Sequence, residues 1–119
     1  MRHLKNTKKF KRTPQERKRL WIDLSLALIN YGQITTFTAR AKWFVPKFER
    51  LVTLVKRSGD DAKLAYTKVR PFLHEKEARK LIEEIVPTLK ERNGGYTRIL
   101  KYSKPFSVHD KSIVSIVQE

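Results

Sequence analysis

Basic side chains are concentrated at the start of the chain, in a pattern suited to binding phosphate. The first twenty residues contain nine Lys or Arg residues and one acidic residue, Glu16, which gives them about +8 of the total charge of +15. A segment with so much like charge and so few apolar residues cannot bury enough surface to fold alone. A polyphosphate backbone neutralises such charge and releases condensed counterions. The segment is therefore predicted to be a nucleic-acid-binding arm.

A second group of candidate residues lies in the stretch Gly94–Lys101, with the sequence GGYTRILK. The two glycines allow a sharp turn or a close approach of the backbone to a ligand. In a strand, Tyr96 and Arg98 would point to one side, and Thr97 and Lys101 would point to the other. Two interpretations stay open. The stretch is an ordinary strand after a helix end, or its cations contact phosphates while Tyr96 stacks on a base or donates its hydroxyl.

Catalytic and metal-binding groups show no comparable pattern. His3, His74 and His109 lie far apart, without the close spacing of paired ligands, and the chain has no cysteine. The acidic pairs Asp60–Asp61 and Glu83–Glu84 lie beside apolar stripes of helical spacing, where they indicate a helix cap and a solvated face. The sequence contains no glycine-rich phosphate loop and no nucleophile motif. We therefore expect neither an enzyme nor a bound cofactor or metal ion.

The elements that position the candidate residues begin with a strongly marked helix. Thr13 can cap it, Pro14 suits its first position, and Glu16 stands three residues after the cap, as a capping box requires. Gly32 offers a left-handed stop, so the helix is predicted over 14–31. An apolar stripe of helical spacing predicts its buried face: Leu20, Leu24, Ala27, Leu28 and Tyr31.

The remaining pattern predicts an α+β fold with about four helices packed against a small three-stranded, mainly antiparallel sheet, plus a basic extended N-terminal arm. The predicted order after the first helix is a strand at 33–37, a helix capped by Thr38 and kinked or restarted at Pro46, a helix capped by Asp60 or Asp61, a helix from Glu75 that bends or breaks at Pro87, and strands at 96–102 and 111–117. We assign residues 1–12 to the arm and 13–119 to a single globular domain.

Composition limits the class of protein further. No apolar run approaches the ~20 residues that span a bilayer, so a membrane partner is not expected. The stretch Leu20–Ile29 is interrupted by Asp23 and Ser25, and no cleavage site follows it, which argues against a signal peptide. The lack of cysteine fits a reducing compartment. We expect a cytoplasmic protein, and an organellar origin stays open because a basic, acid-poor N-terminus also resembles a transit peptide.

Three motifs give the chain a resemblance to a known family. They are Met1-Arg2-His3 with the basic arm behind it, Ile34-Thr35-Thr36 followed by Ala39-Arg40-Ala41-Lys42, and the stretch Gly94–Lys101. In order and separation they resemble the L-seventeen family of bacterial-type large-subunit ribosomal proteins over essentially the whole chain. The resemblance implies an α+β fold and a structural role in the large subunit, bound to its ribosomal RNA near the rim of the peptide exit tunnel. It also implies neighbouring proteins of the L-twenty-two and L-thirty-two families.

The candidate RNA-binding residues come from these motifs and from the charge pattern. The resemblance implies RNA contact for Arg2, His3, Lys5, Arg12, Arg40, Lys42, Arg98 and Lys101. The charge pattern and the C-terminal motif add Lys8, Lys9, Phe10, Lys11, Arg17, Tyr96 and Thr97. Phe10 stands alone among the cations of the arm, and we expect it to insert into RNA or to contact a neighbouring protein.

Two departures from the family pattern concern the arm and the second helix. Lys11 stands where the family usually has glycine, which adds charge and can change the path of the arm. The residues Trp43-Phe44-Val45 stand where the family usually has Glu-Leu-Arg, and we expect Trp43 to contact the core or another protein. Most aromatic residues on the apolar stripes are expected in the core: Trp21, Tyr31, Phe44, Phe48, Tyr66 and Phe72.

Charge and residue types leave two other functions to consider. A histone-like or architectural DNA-binding protein would also need a basic arm, because backbone charge does not distinguish DNA from RNA. A small basic endoribonuclease would act on RNA through His109, Tyr96 or Arg98. The sequence places no acid and base together for that chemistry, so the binding functions are favoured.

Overall fold

The computed structural model describes residues 10–101 and 110–117, where helices pack on one side of a small sheet. The helices are α1 Pro14–Tyr31, α2 Thr38–Arg57, α3 Ala62–Val69, α4 Glu75–Lys80 and α5 Val86–Thr88, with a π-helical segment at Leu81–Ile85 joining the last two. The strands β1 Gln33–Phe37, β2 Thr97–Lys101 and β3 Lys111–Ile116 pair antiparallel in the order β1-β3-β2. Because α4 to α5 form one continuous helical stretch, the predicted α+β fold of about four helices and three antiparallel strands is confirmed.

The signals at the two ends of α1 act as predicted. The Glu16 carboxylate accepts a hydrogen bond from the Thr13 N–H, and the Thr13 hydroxyl accepts one from the Glu16 N–H, both at 3.2 Å. Gly32 ends the helix with φ +77°. Tyr31, however, is 79% exposed, so its predicted place in the core is wrong. The chain turns into β1 at Gly32 and leaves this last residue of the helix at the surface.

The long helix α2 supplies much of the core. Its buried apolar side chains are Ala41, Phe44, Phe48, Leu51, Val52 and Val55. Pro46 lies inside this single helix, so the predicted restart at the proline is wrong. A proline removes the hydrogen bond to the carbonyl four residues earlier, here that of Lys42. Both residues are exposed, and water can therefore satisfy the freed carbonyl.

The junction between β1 and α2 is held by the sheet rather than by a side-chain cap. Thr38 was predicted to cap α2, but it is the first helical residue, and the N-cap residue Phe37 makes no side-chain cap hydrogen bond. The Thr38 N–H donates to the carbonyl of Asp110 at 2.8 Å. The hydroxyls of Thr38 and Ser112 form a buried hydrogen bond of 2.7 Å. The prediction failed because Asp110 and Ser112, at the start of β3 and far away in sequence, provide these partners.

The two remaining helix signals act locally. Of the two candidate caps for α3, Asp61 is the one used, and its carboxylate accepts the Leu64 N–H at 3.0 Å. The fourth helical stretch changes to a π-helical turn directly before Pro87 and ends at Thr88. Pro87 cannot donate to the carbonyl four residues back and its ring clashes with it, which explains a wider turn at this point. The predicted break at Pro87 is wrong, because the helical stretch continues through it to Thr88, and the bend stays a prediction.

Among residues 10–101 and 110–117, the sheet has one face against the helices and one face that none of them covers, which we call the open face. Ile34 of β1 and Ile99 of β2 both pair with Val114 of β3, and all three belong to the core or pack against it. Alternation along each strand directs the neighbouring residues to the open face. None of the helices within residues 10–101 and 110–117 is long and apolar enough to cross a lipid bilayer.

Candidate nucleic-acid interface

The end of the basic arm packs against α1 and α2. The ring of Phe10 meets the ring of Trp43 edge-on, with centroids 5.2 Å apart and an interplanar angle of 77°. Lys47 covers Trp43, with its ammonium 5.2 Å from the ring centroid. The guanidinium of Arg17 donates a hydrogen bond to the carbonyl of Arg12. We call this cluster of Phe10, Arg12, Arg17 and Trp43 the arm root.

The arm root confirms one of the expectations for Trp43. Phe10 contacts Trp43 of its own chain at the surface of α2, and its contact with RNA or a neighbouring protein stays a prediction. Trp43 is half-buried and packs against the core. Five predicted arm residues lie outside the described residues: Arg2, His3, Lys5, Lys8 and Lys9.

The backbone at the arm root makes a left-handed turn. Phe10 has φ +53° and Lys11 has φ +54°. Glycine adopts this conformation without cost, whereas other residues lose ~1–2 kcal/mol. Lys11 thus adopts the turn that a glycine would favour, and the contacts of Phe10 and Arg17 lie on either side of it. The side chain of Lys11 is exposed and adds its charge to the surface.

The second motif, at the start of α2, places its two cations differently. Arg40 is half-buried, with its guanidinium carbon 5.4 Å from the centroid of the Phe37 ring. Lys111, from β3, approaches the same ring at 5.9 Å. Lys42 is exposed on α2. Arg40 therefore lies at the edge of the sheet, while Lys42 is free to meet a ligand from solvent.

The two cations of the C-terminal motif lie on opposite sides of the sheet. Arg98 is exposed on the open face, in register with Ser115 of β3, as its predicted outward orientation requires. Lys101 is also exposed, but the alternation along β2 places it on the same side of the sheet as Ile99, which faces the helices. Its ammonium is 3.9 Å from the carboxylate of Asp110. A single flat ligand on the open face would therefore meet Arg98 and not Lys101.

Tyr96 and Thr97 join β2 to α2. Tyr96 is 5% exposed, and the Lys56 ammonium lies 4.9 Å from its ring centroid and donates to its hydroxyl at 3.2 Å. Lys56 also donates to the carbonyl of Arg92. The Thr97 hydroxyl donates to the Glu49 carboxylate at 2.8 Å. The expected stacking face of Tyr96 is thus wrong, because burial keeps a base from reaching the ring.

The open face of the sheet collects residues that the sequence patterns did not bring together. Its outward side chains are Gln33, Thr35, Phe37, Arg98, Leu100, Lys111, Ile113 and Ser115. None of these eight residues is acidic. The missed cation is Lys111, and the signal that could have found it is its place at the start of the strand predicted at 111–117; its partner Phe37 follows only from the register of the sheet. Within the described ranges, no three His, Cys, Asp or Glu side chains are placed to hold a metal ion.

Comparison with known proteins assigns the family. A family model described as "Ribosomal protein L17" matches residues 20–118, which is most of the chain. The chain belongs to this family. It is a family of bacterial-type large-subunit ribosomal proteins, with a structural and not an enzymatic role. The resemblance inferred from the three motifs is confirmed, and the endoribonuclease alternative is excluded.

Individual relatives of this L17-family chain carry the same description. "Large ribosomal subunit protein bL17" from Persephonella marina is 46% identical over 105 residues, covering 87% of this chain and 83% of that protein. The Sulfurihydrogenibium protein of the same name is 42% identical over 101 residues, covering 85% and 82%. The one from Rhodopseudomonas palustris strain TIE-1 is 35% identical over 119 residues, covering 99% and 82%.

Proposed function

We propose that this L17-family chain is a structural constituent of the large ribosomal subunit that binds and stabilises its ribosomal RNA near the rim of the peptide exit tunnel. The observation that carries the proposal is the charge of its arm, nine basic residues among the first twenty, on a domain of this family. Proteins of the L-twenty-two and L-thirty-two families are the proposed neighbours. The chain acts in a cytoplasmic ribosome, with residues 1–12 as the arm and 13–119 as one domain.

The proposed mechanism is positioning of RNA by an arm and a folded domain together. A-form RNA is recognised mainly through its shape, its phosphates and its 2′-hydroxyls. Arginine suits phosphate because its guanidinium can donate two parallel hydrogen bonds. Inserting an arm between RNA helices costs conformational entropy, but it ties distant RNA segments together. The arm root reduces that cost, because Phe10 and Arg12 already hold the end of the arm against the domain.

The surface of the domain supports the same role. Five of the candidate cations at the arm root, on α2 and on β2 are exposed or half-buried without a described ion pair to a carboxylate: Lys11, Arg12, Arg17, Arg40 and Arg98. Lys42 is likewise exposed, and the ion pair described for Lys101 is a long, solvent-exposed contact with Asp110. Such exposed contacts are weak in water, so phosphate can replace them.

The salt dependence of RNA binding tests the proposal. The arm contains six cations within residues 2–12: Arg2, Lys5, Lys8, Lys9, Lys11 and Arg12. Replacing all six by glutamine keeps Phe10 and the length of the arm. If each cation neutralises one phosphate, the slope of log K against log salt should become less steep by about 4–5. The unchanged chain, contacting roughly six to ten phosphates, should lose about 10³–10⁵ in affinity between 50 and 200 mM salt.

A matched variant and two competitors complete the test. Lys63→Gln with Lys68→Gln removes exposed charge from α3 and should leave the slope almost unchanged. Large-subunit RNA should compete far better than duplex DNA, and the chain should sediment with large subunits. An equal slope for the six-glutamine variant and the unchanged chain would refute the arm mechanism. Equal competition by duplex DNA would favour an architectural DNA-binding protein instead.

A further inference from the structure

Three cations lie in a row along one side of α2, beginning at the arm root. Lys47 covers Trp43 of the arm root, and Arg50 and Arg57 follow Lys47 by three and ten residues. At ~100° per residue, the three positions fall within an arc of about 80° of the helix surface. The rise of ~1.5 Å per residue places Arg57 about 15 Å beyond Lys47 along the helix axis. We call Lys47, Arg50 and Arg57 the α2 row.

The far end of the α2 row borders an open concavity of about 490 Å³. Arg50, Thr53 and Arg57 line it from α2, and Asn93 and Gly94 line it from the segment before β2. Gly94 contributes no side chain, and a methyl group at its position would come within 4 Å of no described residue other than its chain neighbours. The concavity therefore has cations along one side and room for the backbone of a ligand along the other.

Two further charged residues of the concavity, Glu49 and Lys56, hold the start of β2 against α2. Both side chains are half-buried. The Glu49 carboxylate accepts a hydrogen bond from the Thr97 hydroxyl at 2.8 Å, and the Lys56 ammonium donates to the Tyr96 hydroxyl at 3.2 Å. Because their charges are opposite, Glu49 and Lys56 together add no net charge to the concavity.

The net positive charge of the concavity thus comes from Arg50 and Arg57. Both side chains are exposed, and neither forms an ion pair with a carboxylate within residues 10–101 and 110–117. The two arginines are about two helical turns apart, which separates their Cα atoms by ~10 Å along the axis. Each guanidinium can donate two parallel hydrogen bonds to a phosphate. The pair can therefore bind separate phosphates of one strand.

The lining also indicates which polyanion occupies the concavity. Its aromatic residue, Tyr96, is 5% exposed, so a base cannot stack on the ring. Two copies of the chain meeting through the α2 row would bring the arginines against like charges. An acidic protein would match the charge of the row as RNA does. RNA is favoured because the row begins at the arm root, so that RNA held by the arm can continue along α2.

We infer that Arg50 and Arg57 bind phosphates of the RNA backbone where it passes from the arm root along α2, without contact to the bases. The inference rests on the proposed function and adds a site on the folded domain, separate from the arm. Because phosphates carry no sequence information, this site fixes the position of the RNA on the domain and does not select its sequence.

The salt dependence of binding to labelled large-subunit ribosomal RNA tests the site in the full chain. Arg50→Gln with Arg57→Gln should make the slope of log K against log salt less steep by about 1.4–1.8. The loss of affinity between 50 and 200 mM salt should accordingly be about tenfold smaller than for the unchanged chain. Arg50→Lys with Arg57→Lys keeps both charges and should keep the slope. Lys63→Gln with Lys68→Gln, the matched control, removes two exposed charges from α3 and should leave the slope almost unchanged.

Cross-linking locates the RNA on the domain. The chain contains no cysteine, so a single one can carry a photoreactive aryl azide at a chosen position. Thr53→Cys should cross-link to RNA from inside the concavity, whereas Lys63→Cys on α3 should cross-link much less. Adding Arg50→Gln and Arg57→Gln to Thr53→Cys should reduce the cross-link, because the backbone is no longer held beside it.

The outcomes separate this inference from the proposed function. Because both arginines are exposed, the double glutamine variant should keep its melting temperature, so a changed slope cannot be attributed to unfolding. An unchanged slope, or an equal change in the α3 control, would overturn the inference. Cross-linking of Thr53→Cys to a protein instead of RNA in reconstituted large subunits would also overturn it. In each case the six-glutamine variant of the arm would decide the proposed function independently.

Discussion

Removal of the Phe10 side chain should detach the arm root and leave the domain folded. Phe10→Ala eliminates the edge-to-face contact with Trp43, whose centroid distance of 5.2 Å and angle of 77° are near the favoured geometry. Such pairs contribute ~0.5–1.5 kcal/mol beyond the burial of their surface. The left-handed turn at Phe10 and Lys11 costs ~1–2 kcal/mol per residue. The ring contact offsets only part of this cost, so its loss should favour release of the root.

A double-mutant cycle measures this contact. Urea unfolding of the unchanged chain, Phe10→Ala, Trp43→Ala and the double variant should give a coupling free energy of ~0.5–1.5 kcal/mol. Phe10→Leu keeps an apolar group but loses the ring geometry, and its coupling should be smaller. Adding Lys11→Gly to Phe10→Ala relieves the strained backbone and should recover part of the lost stability.

RNA binding gives a second, independent result for the same variants. A released root must be ordered again on binding, so Phe10→Ala should weaken RNA affinity by about 2–12-fold if the lost contact is ~0.5–1.5 kcal/mol. The slope against salt should stay the same, because no charge is removed. Additive effects of Phe10→Ala and Trp43→Ala would refute the packing argument. A changed salt slope in Phe10→Ala would refute the assignment of Phe10 to positioning.

Two further predictions concern the ends of helices. Hydrogen bonds with the Thr13 side chain and then its backbone N–H lower the pKa of Glu16 from its ordinary value of 4.5. A lowered folded-state pKa stabilises the fold above the unfolded value and loses that contribution as the pH falls below 4.5. In Glu16→Gln the melting temperature should therefore fall less as the pH drops below 4.5. An equal fall in the variant and the unchanged chain would contradict the capping box. Thr38→Val leaves the buried Ser112 hydroxyl without its 2.7 Å partner and should cost ~1–3 kcal/mol in urea unfolding. Adding Ser112→Ala should recover part of that loss, and a further loss would show that the pair is not the cause.

The candidate site was predictable where orientation follows from strand alternation and unpredictable where it depends on packing. Arg98 faces outward because it lies inside β2, where successive side chains point to opposite faces of the sheet. The same period failed at Tyr96, because the strand begins only at Thr97 and the backbone turns at Gly95, with φ +60°. The open face was not predicted, since it required the register of Phe37 with Lys111 on a strand more than seventy residues away.

Local chemistry determined the helix ends and the charge of this protein. The capping box of Thr13 and Glu16 and the left-handed Gly32 need only neighbours within a few residues, so the sequence alone was sufficient for them. For the cap of α3 the sequence left Asp60 and Asp61 both open, and the structure uses Asp61. The nine basic residues at the start likewise predict a polyanion-binding arm without reference to a fold. Tertiary structure alone decided which aromatic rings are buried and what Thr38 and Phe10 contact. Those outcomes depend on partners brought together by chain folding, and no local pattern encodes the distance between them.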